Sequence, residues 1–142
     1  MILYCDTSAL MKLFVEEEHS GLMQNVSAAS ERVVVSMLTW AEMLSALSRK
    51  QRTGQVRAAQ VVTALEEIEA EWPRYYKLGV DTDLITDAGQ LALHHGLRAY
   101  DSVQLASAQR IHRSLGNNLI FCCFDKQLNA AAAALAINIL PE

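Results

Sequence analysis

The chain has 142 residues, 51% of them apolar and 20% charged, with a formal charge of −4. Those proportions suit one globular domain, residues 1–142, and exclude a disordered chain or a strongly basic nucleic-acid coat. No run approaches the ~20 apolar residues of a bilayer span, and the first apolar run lacks a basic leader and stops at Asp6, so a cytoplasmic protein without membrane attachment is expected.

Taken in order, Met1–Cys5 reads as a strand closed by Asp6, followed by a helix over 8–17 that gathers Leu10, Leu13 and Phe14 on one face. A short helix over 20–29 comes next. The β-branched run Arg32–Ser36 is continuous, as a strand buried on both faces should be. Helices over 38–52 and 55–72 are divided at Thr53-Gly54, where glycine caps a helix end. Pro73 stops the second of them. A strand over 75–80, helices over 83–95 and 99–115, and a strand over 119–124 follow. An alanine-rich helix after Asp125 and a strand over 136–140 complete the chain. Five strands with helical crossovers predict a three-layer α/β/α fold on a parallel sheet. Cys5, Cys122 and Cys123 fall inside predicted strands without ligand spacing, and read as small buried hydrophobes in a reducing compartment.

Ligands bind at the carboxyl ends of parallel strands, where strand order reverses. Asp6 and Asp125 close two strands, while Glu42 and Asp101 enter from flanking helices. Each acid also has a local explanation. Asp6, Thr7 and Ser8 are three candidate N-caps in a row, so at least one is surplus. Glu42 forms a capping box if Thr39 is the cap, and points across the end of the sheet if Ser36 is the cap; the segment leaves both open. Asp101 heads a helix with Leu105 and Ala108 on its face. A carboxylate left unpaired there costs more than the roughly 0.3–1 kcal/mol that the helix dipole returns, which calls for a metal. Asp125 repeats the pattern of Asp6. These four acids account for the net charge and leave the rest of the chain balanced.

The remaining charged groups read as ordinary. Glu16, Glu17 and Glu18, with Glu66, Glu67, Glu69 and Glu71, belong on solvated helix faces; Asp81, Asp83 and Asp87 open a helix. His19, His94, His95 and His112 lack ligand spacing. Arg49, Lys50, Arg52 and Arg57 surround the turn between the two long helices, and a solvated helix end is expected there rather than an RNA or partner contact. Hard oxygen donors without Cys or His suit Mg²⁺ or Mn²⁺. One or two such ions point to phosphate-ester hydrolysis, since the chain carries no Walker motif, glycine-rich phosphate loop or Ser–His pairing.

Four segments carry a family likeness: Asp6-Thr-Ser-Ala-Leu-Met-Lys-Leu-Phe, Trp40-Ala-Glu-Met-Leu-Ser-Ala-Leu, Leu97-Arg-Ala-Tyr-Asp-Ser-Val-Gln-Leu-Ala and Phe124-Asp-Lys-Gln-Leu. In this order they resemble the motifs of PIN-domain ribonucleases, above all the VapC-type toxins of toxin–antitoxin modules. The resemblance implies a PIN-like sheet ordered 3-2-1-4-5, Mg²⁺- or Mn²⁺-dependent cleavage of RNA, a homodimer, and a cognate antitoxin whose tail occupies the site. It assigns Asp6, Glu42, Asp101 and Asp125 as catalytic metal ligands and Ser8 as their support. Lys12, Arg98 and Lys126, each within a turn or two of a ligand, are weaker candidates for substrate contact. Two other classes compete. A receiver-like signalling domain would need an acidic pair after the first strand, where the chain has only Asp6, and a phosphoacceptor at Asp81. A PIN-like scaffold without catalysis would bind partners but no metal.

Overall fold

In the computed structural model, which describes residues 1–141, five strands form one sheet. They are β1 (Ile2–Cys5), β2 (Arg32–Ser36), β3 (Tyr76–Leu78), β4 (Leu119–Cys122) and β5 (Asn138–Leu140). Their order is β3-β2-β1-β4-β5, with every neighbouring pair parallel. This is the order the resemblance implied. From β1 the chain first builds outward to β2 and β3, then crosses back to place β4 on the other side. The β1/β4 boundary is therefore the switch point, with Cys5 in register with Cys122.

Among the described residues seven α-helices complete the layers: α1 (Thr7–Met11), α2 (Ser20–Ala29), α3 (Leu38–Arg52), α4 (Ala58–Glu71), α5 (Thr82–His95), α6 (Ala99–Leu115) and α7 (Lys126–Ala134). Alternation along the strands divides the core in two. Tyr4, Val34 and Phe121 pack with Leu84, Leu105 and Leu128 of α5, α6 and α7. Leu3, Cys5, Val33 and Val35 pack on the opposite face with Leu10, Met23, Met43 and Ile68 of α1 to α4. Trp40 and Trp72 meet at 5.4 Å between ring centres, on the side of α3 and α4. Among the described residues no helix is long and apolar enough to cross a membrane.

Several boundaries depart from the sequence expectation. The helix expected over 8–17 stops at Met11, because Leu13 and Phe14 donate to carbonyls only three residues back and tighten the turn. Ser20 then ends the extension, its hydroxyl donating to the Val15 carbonyl and accepting from the Glu17 amide. The helix expected from 55 starts at Ala58, where the Gln60 side chain accepts from the Arg57 amide at 2.7 Å. Strands β3, β4 and β5 are shorter than the apolar runs that announced them; Tyr75 and Ile137 donate instead to Trp72 and Ala132 in the turns before β3 and β5.

Candidate active site

Immediately past the switch point, the Asp6 amide donates to the Cys122 carbonyl at 3.1 Å and carries the ladder one step beyond β1. Its side chain then caps α1: Oδ1 accepts from the Ala9 amide at 2.9 Å and from the Ser8 hydroxyl at 2.7 Å. Both bonds fall on one oxygen, leaving Oδ2 with capacity for a further ligand. Ser8 also accepts from the Phe124 amide at 3.4 Å, so one hydroxyl ties the end of β1 to the end of β4. Asp125 caps α7 in the same manner, accepting from the Leu128 amide at 2.8 Å.

Glu42 is not part of a capping box. The Ser36 hydroxyl accepts from the Leu38 amide at 3.1 Å, which decides the open question of the α3 start. Glu42 lies one turn further on, and its Oε1 receives the Thr7 hydroxyl at 2.9 Å and the Gln104 amide at 2.8 Å. Gln104 is 2% exposed and sits one turn after Asp101 on α6. Its Nε2 also donates to Thr39, at 3.0 Å, and its Oε1 accepts from the Tyr4 hydroxyl at 2.6 Å. Both ends of the amide are thus engaged and its orientation is fixed. Neither Gln104 nor Thr7 was singled out from sequence as a site residue; a lone polar residue three after Asp101 on an apolar face was the available signal.

Asp101 is not the unpaired carboxylate that sequence suggested. Arg98 Nε donates to its Oδ2 at 3.1 Å, with the carboxylate 15% exposed and the arginine 68%. The guanidinium stands 5.2 Å from the centre of the Tyr100 ring. Lys12 and Lys50 are also engaged, by the two oxygens of Glu17, so Glu17 is no solvated helix-face acid. Lys126, by contrast, is exposed at the start of α7 and is not part of the cavity wall.

One cavity of about 670 Å³ is lined by Asp6, Glu42, Asp101 and Asp125 together, with Ser8, Lys12 and Arg98. Arg49 and Lys50 join them; of that basic stretch Lys50 alone is half-buried, while Arg49, Arg52 and Arg57 are exposed as a solvated helix end should be. Along α3, Glu42, Ala46 and Lys50 recur every fourth residue and Ser45 and Arg49 lie beside them, so a single helical stripe faces the cavity. Asp81 lies elsewhere: it follows the edge strand β3, caps α5 and accepts two bonds from Arg110, at 3.1 and 3.2 Å. That placement sets the phosphoacceptor of the receiver-like reading apart from Asp6 and pairs it with an arginine.

Electrostatics single out two of the four acids. Burial pushes the Asp6 carboxyl up to about 6, against the bonds from Ala9 and Ser8, and the Asp101 charge raises it further. Burial likewise raises Glu42, opposed by Gln104 and Thr7 and reinforced by Asp101. Among the described residues neither Asp6 nor Glu42 has an ion-pair partner. Two sheltered carboxylates beside a third, with no cation assigned to them, fit a hard divalent ion. Among the described residues no group of three or more His, Cys, Asp and Glu side chains is placed to hold a metal ion by itself, so an ion here would take its remaining ligands from water or substrate. Mg²⁺ accepts that arrangement, since it binds one or two carboxylates and keeps waters or phosphate oxygens on its other positions.

Comparisons with known proteins agree with the architecture. A PIN-domain profile matches residues 3–134. Ribonuclease VapC3 of Pyrobaculum aerophilum is 30% identical over 137 residues, covering 95% of this chain and 98% of that one. Ribonuclease VapC45 of Mycobacterium tuberculosis is 26% identical over 140 residues, covering 99% and 95%. Among solved structures, FitAcB from Neisseria gonorrhoeae superposes with a TM-score of 0.69 at 19% identity, covering 98% of this chain and 96% of its own. The chain belongs to the PIN-domain family, with VapC-type ribonucleases as near-full-length relatives.

Proposed function

We propose that the protein is an endoribonuclease dependent on Mg²⁺ or Mn²⁺, the toxin of a toxin–antitoxin pair. The observation that carries this reading is the convergence of Asp6, Glu42, Asp101 and Asp125, from four separate segments, on one cavity at the switch point. Asp6 and Glu42 are the primary metal ligands in this reading, with Asp101 and Asp125 completing the acidic wall. One or two ions held there would supply Lewis-acid stabilisation of a phosphodiester and a hydroxide-like water at neutral pH.

The chain's own residues set the geometry. Ser8 and the Ala9 amide hold Asp6 by one oxygen. Thr7 and Gln104 hold Glu42 by one oxygen. Each carboxylate therefore reaches the cavity in a single orientation, which removes reorganisation from the reacting complex. Arg98 restrains Asp101 and offers its remaining guanidinium donors to a phosphate. Five carboxylates and four cations line the cavity, a balance of −1 that one divalent ion turns to +1 and makes hospitable to RNA.

The proposed partners are a cognate antitoxin and a second copy of the chain, in the cytoplasm. A VapBC2 complex from Rickettsia felis shares the fold with a TM-score of 0.62. The experiment is RNA cleavage by purified protein with Mg²⁺ or Mn²⁺, with chelator, and with Asp6→Asn. Cleavage lost in chelator and reduced at least a hundredfold by Asp6→Asn is expected, on the order of losing one preorganised electrostatic group. Full cleavage by Asp6→Asn would remove the reading. Light scattering of the protein alone tests the dimer.

A further inference from the structure

The Glu17 side chain lies where α1 gives way to the turn before α2, far from the α3 terminus in sequence but against it in space. Its Oε1 is 3.2 Å from Lys12 Nζ and its Oε2 is 2.9 Å from Lys50 Nζ. The three side chains are only 11%, 21% and 26% exposed for Lys12, Lys50 and Glu17, and all three line the catalytic cavity. Lys12 is held a second time, its ammonium 4.7 Å from the centre of the Phe124 ring. Burial alone would raise the Glu17 carboxyl, but its bonds to Lys50 and Lys12 hold it below the usual range, so it stays an anion.

A carboxylate with each oxygen on a separate ammonium group occupies the place that the two non-bridging oxygens of a phosphodiester would take. The charge agrees: two lysines and one glutamate leave a surplus of one positive charge, matched by one phosphodiester. The direction agrees as well. Lys50 lies eight residues beyond Glu42 on the same stripe of α3, about 12 Å along the axis at the helical rise. Glu17 and Lys50 also line a neighbouring cavity of about 390 Å³ with Phe14 and Val56, so the Glu17–Lys50 pair stands between the two spaces.

We propose, building on the nuclease reading, that Lys12 and Lys50 form a subsite for a backbone phosphate of single-stranded RNA flanking the cut. Glu17 is its resident placeholder: it keeps both ammonium groups aimed at one point and leaves when a phosphate arrives. Displacement joins the two cavities, so the strand leaves the catalytic cavity past Phe14, whose ring offers a face for a base to stack on.

The test is fluorescence anisotropy of a short labelled single-stranded RNA against the full chain, in an Asp6→Asn background with Mg²⁺, across a salt series. Glu17→Gln should tighten binding roughly two- to fivefold, the scale of a partly exposed ion pair set free. Lys12→Ala with Lys50→Ala should weaken it and reduce the slope of log affinity on log salt by about 0.7, one phosphate contact. Adding Glu17→Gln to the double lysine variant should then change nothing. If Glu17→Gln weakens binding or leaves it unaltered, Glu17 is a structural tie and the subsite is wrong. Should that variant not fold, Lys50→Met alone decides, since an unchanged salt slope overturns the proposal. RNA cleavage by the wild-type chain is measured alongside. Cleavage without any Glu17 or lysine effect on binding sinks only the subsite, whereas neither cleavage nor binding sinks the nuclease reading with it.

Discussion

At Asp6 one carboxylate serves as a helix cap through Oδ1 while its proposed metal role falls to Oδ2. The side chain is 5% exposed, so its charge is the costly form when no cation is near. The direction of the pH effect follows. The folded chain keeps the Asp6 proton up to about 6, above the ordinary value of 3.8, so the stabilisation is complete below that ordinary value and lost as pH rises through about 6. Glu42 is raised too and acts in the same direction. Thermal melts of the metal-free chain should therefore show stability falling across that window, by an amount on the order of 2–3 kcal/mol for Asp6. Asp6→Asn keeps an effective cap and should flatten the decline. Saturating Mn²⁺ should oppose it, because a metal ligand must be deprotonated. A flat curve for the wild-type chain would contradict this account of the burial.

Among the elements, α6 does the most to assemble the site. It delivers Asp101 in its first turn and Gln104 one turn later, and Gln104 joins β1, α1 and α3 through Tyr4, Thr7, Thr39 and Glu42. Gln104→Leu should destabilise the chain by about 1–3 kcal/mol, the cost of leaving buried donors and acceptors unmet. Because Glu42 loses its tether as well, RNA cleavage per folded molecule should fall, whereas unchanged cleavage would assign Gln104 to stability alone. The α5–α6 turn gives a contrast. Gly96 has φ +66° at the end of α5, with the Leu97 amide bonded to Ala92. Gly96→Ala should cost about 1–2 kcal/mol through the left-handed backbone, read as a lower melting temperature, without a matching loss of cleavage.

The elements show where sequence reasoning succeeds and where it stops. The β-branched run of β2 and the amphipathic stretch of α3 were readable to the residue, because period and composition act locally. The end of α1 was not, since Leu10, Leu13 and Phe14 continue the apolar face while the backbone already tightens to bonds three residues back. Nor were the engagements of Glu17 with Lys50, Gln104 with Glu42 or Tyr4 with Gln104, which span 33, 62 and 100 residues. Spacing along a chain says which face a group lies on, not what meets it across the sheet. Arg98 and Asp101 are three apart and their pairing was within reach of local reasoning, yet the buried helix around them drew attention to a metal first.

For the whole molecule, the switch point turns a parallel sheet into a cavity lined by acids and cations together. The same centre holds three thiols. Cys5, Cys122 and Cys123 are fully enclosed at the end of β1, at the end of β4 and just past it, and neighbouring groups and burial push the Cys5 and Cys123 thiols up, so those two resist forming thiolate. Alkylating reagents can reach them only when the central strands separate, which makes labelling a clock for global opening. Mass spectrometry should find all three modified together, at a rate that saturating metal slows. Cys123 reacting alone would show instead that the end of β4 frays while the rest of the fold holds.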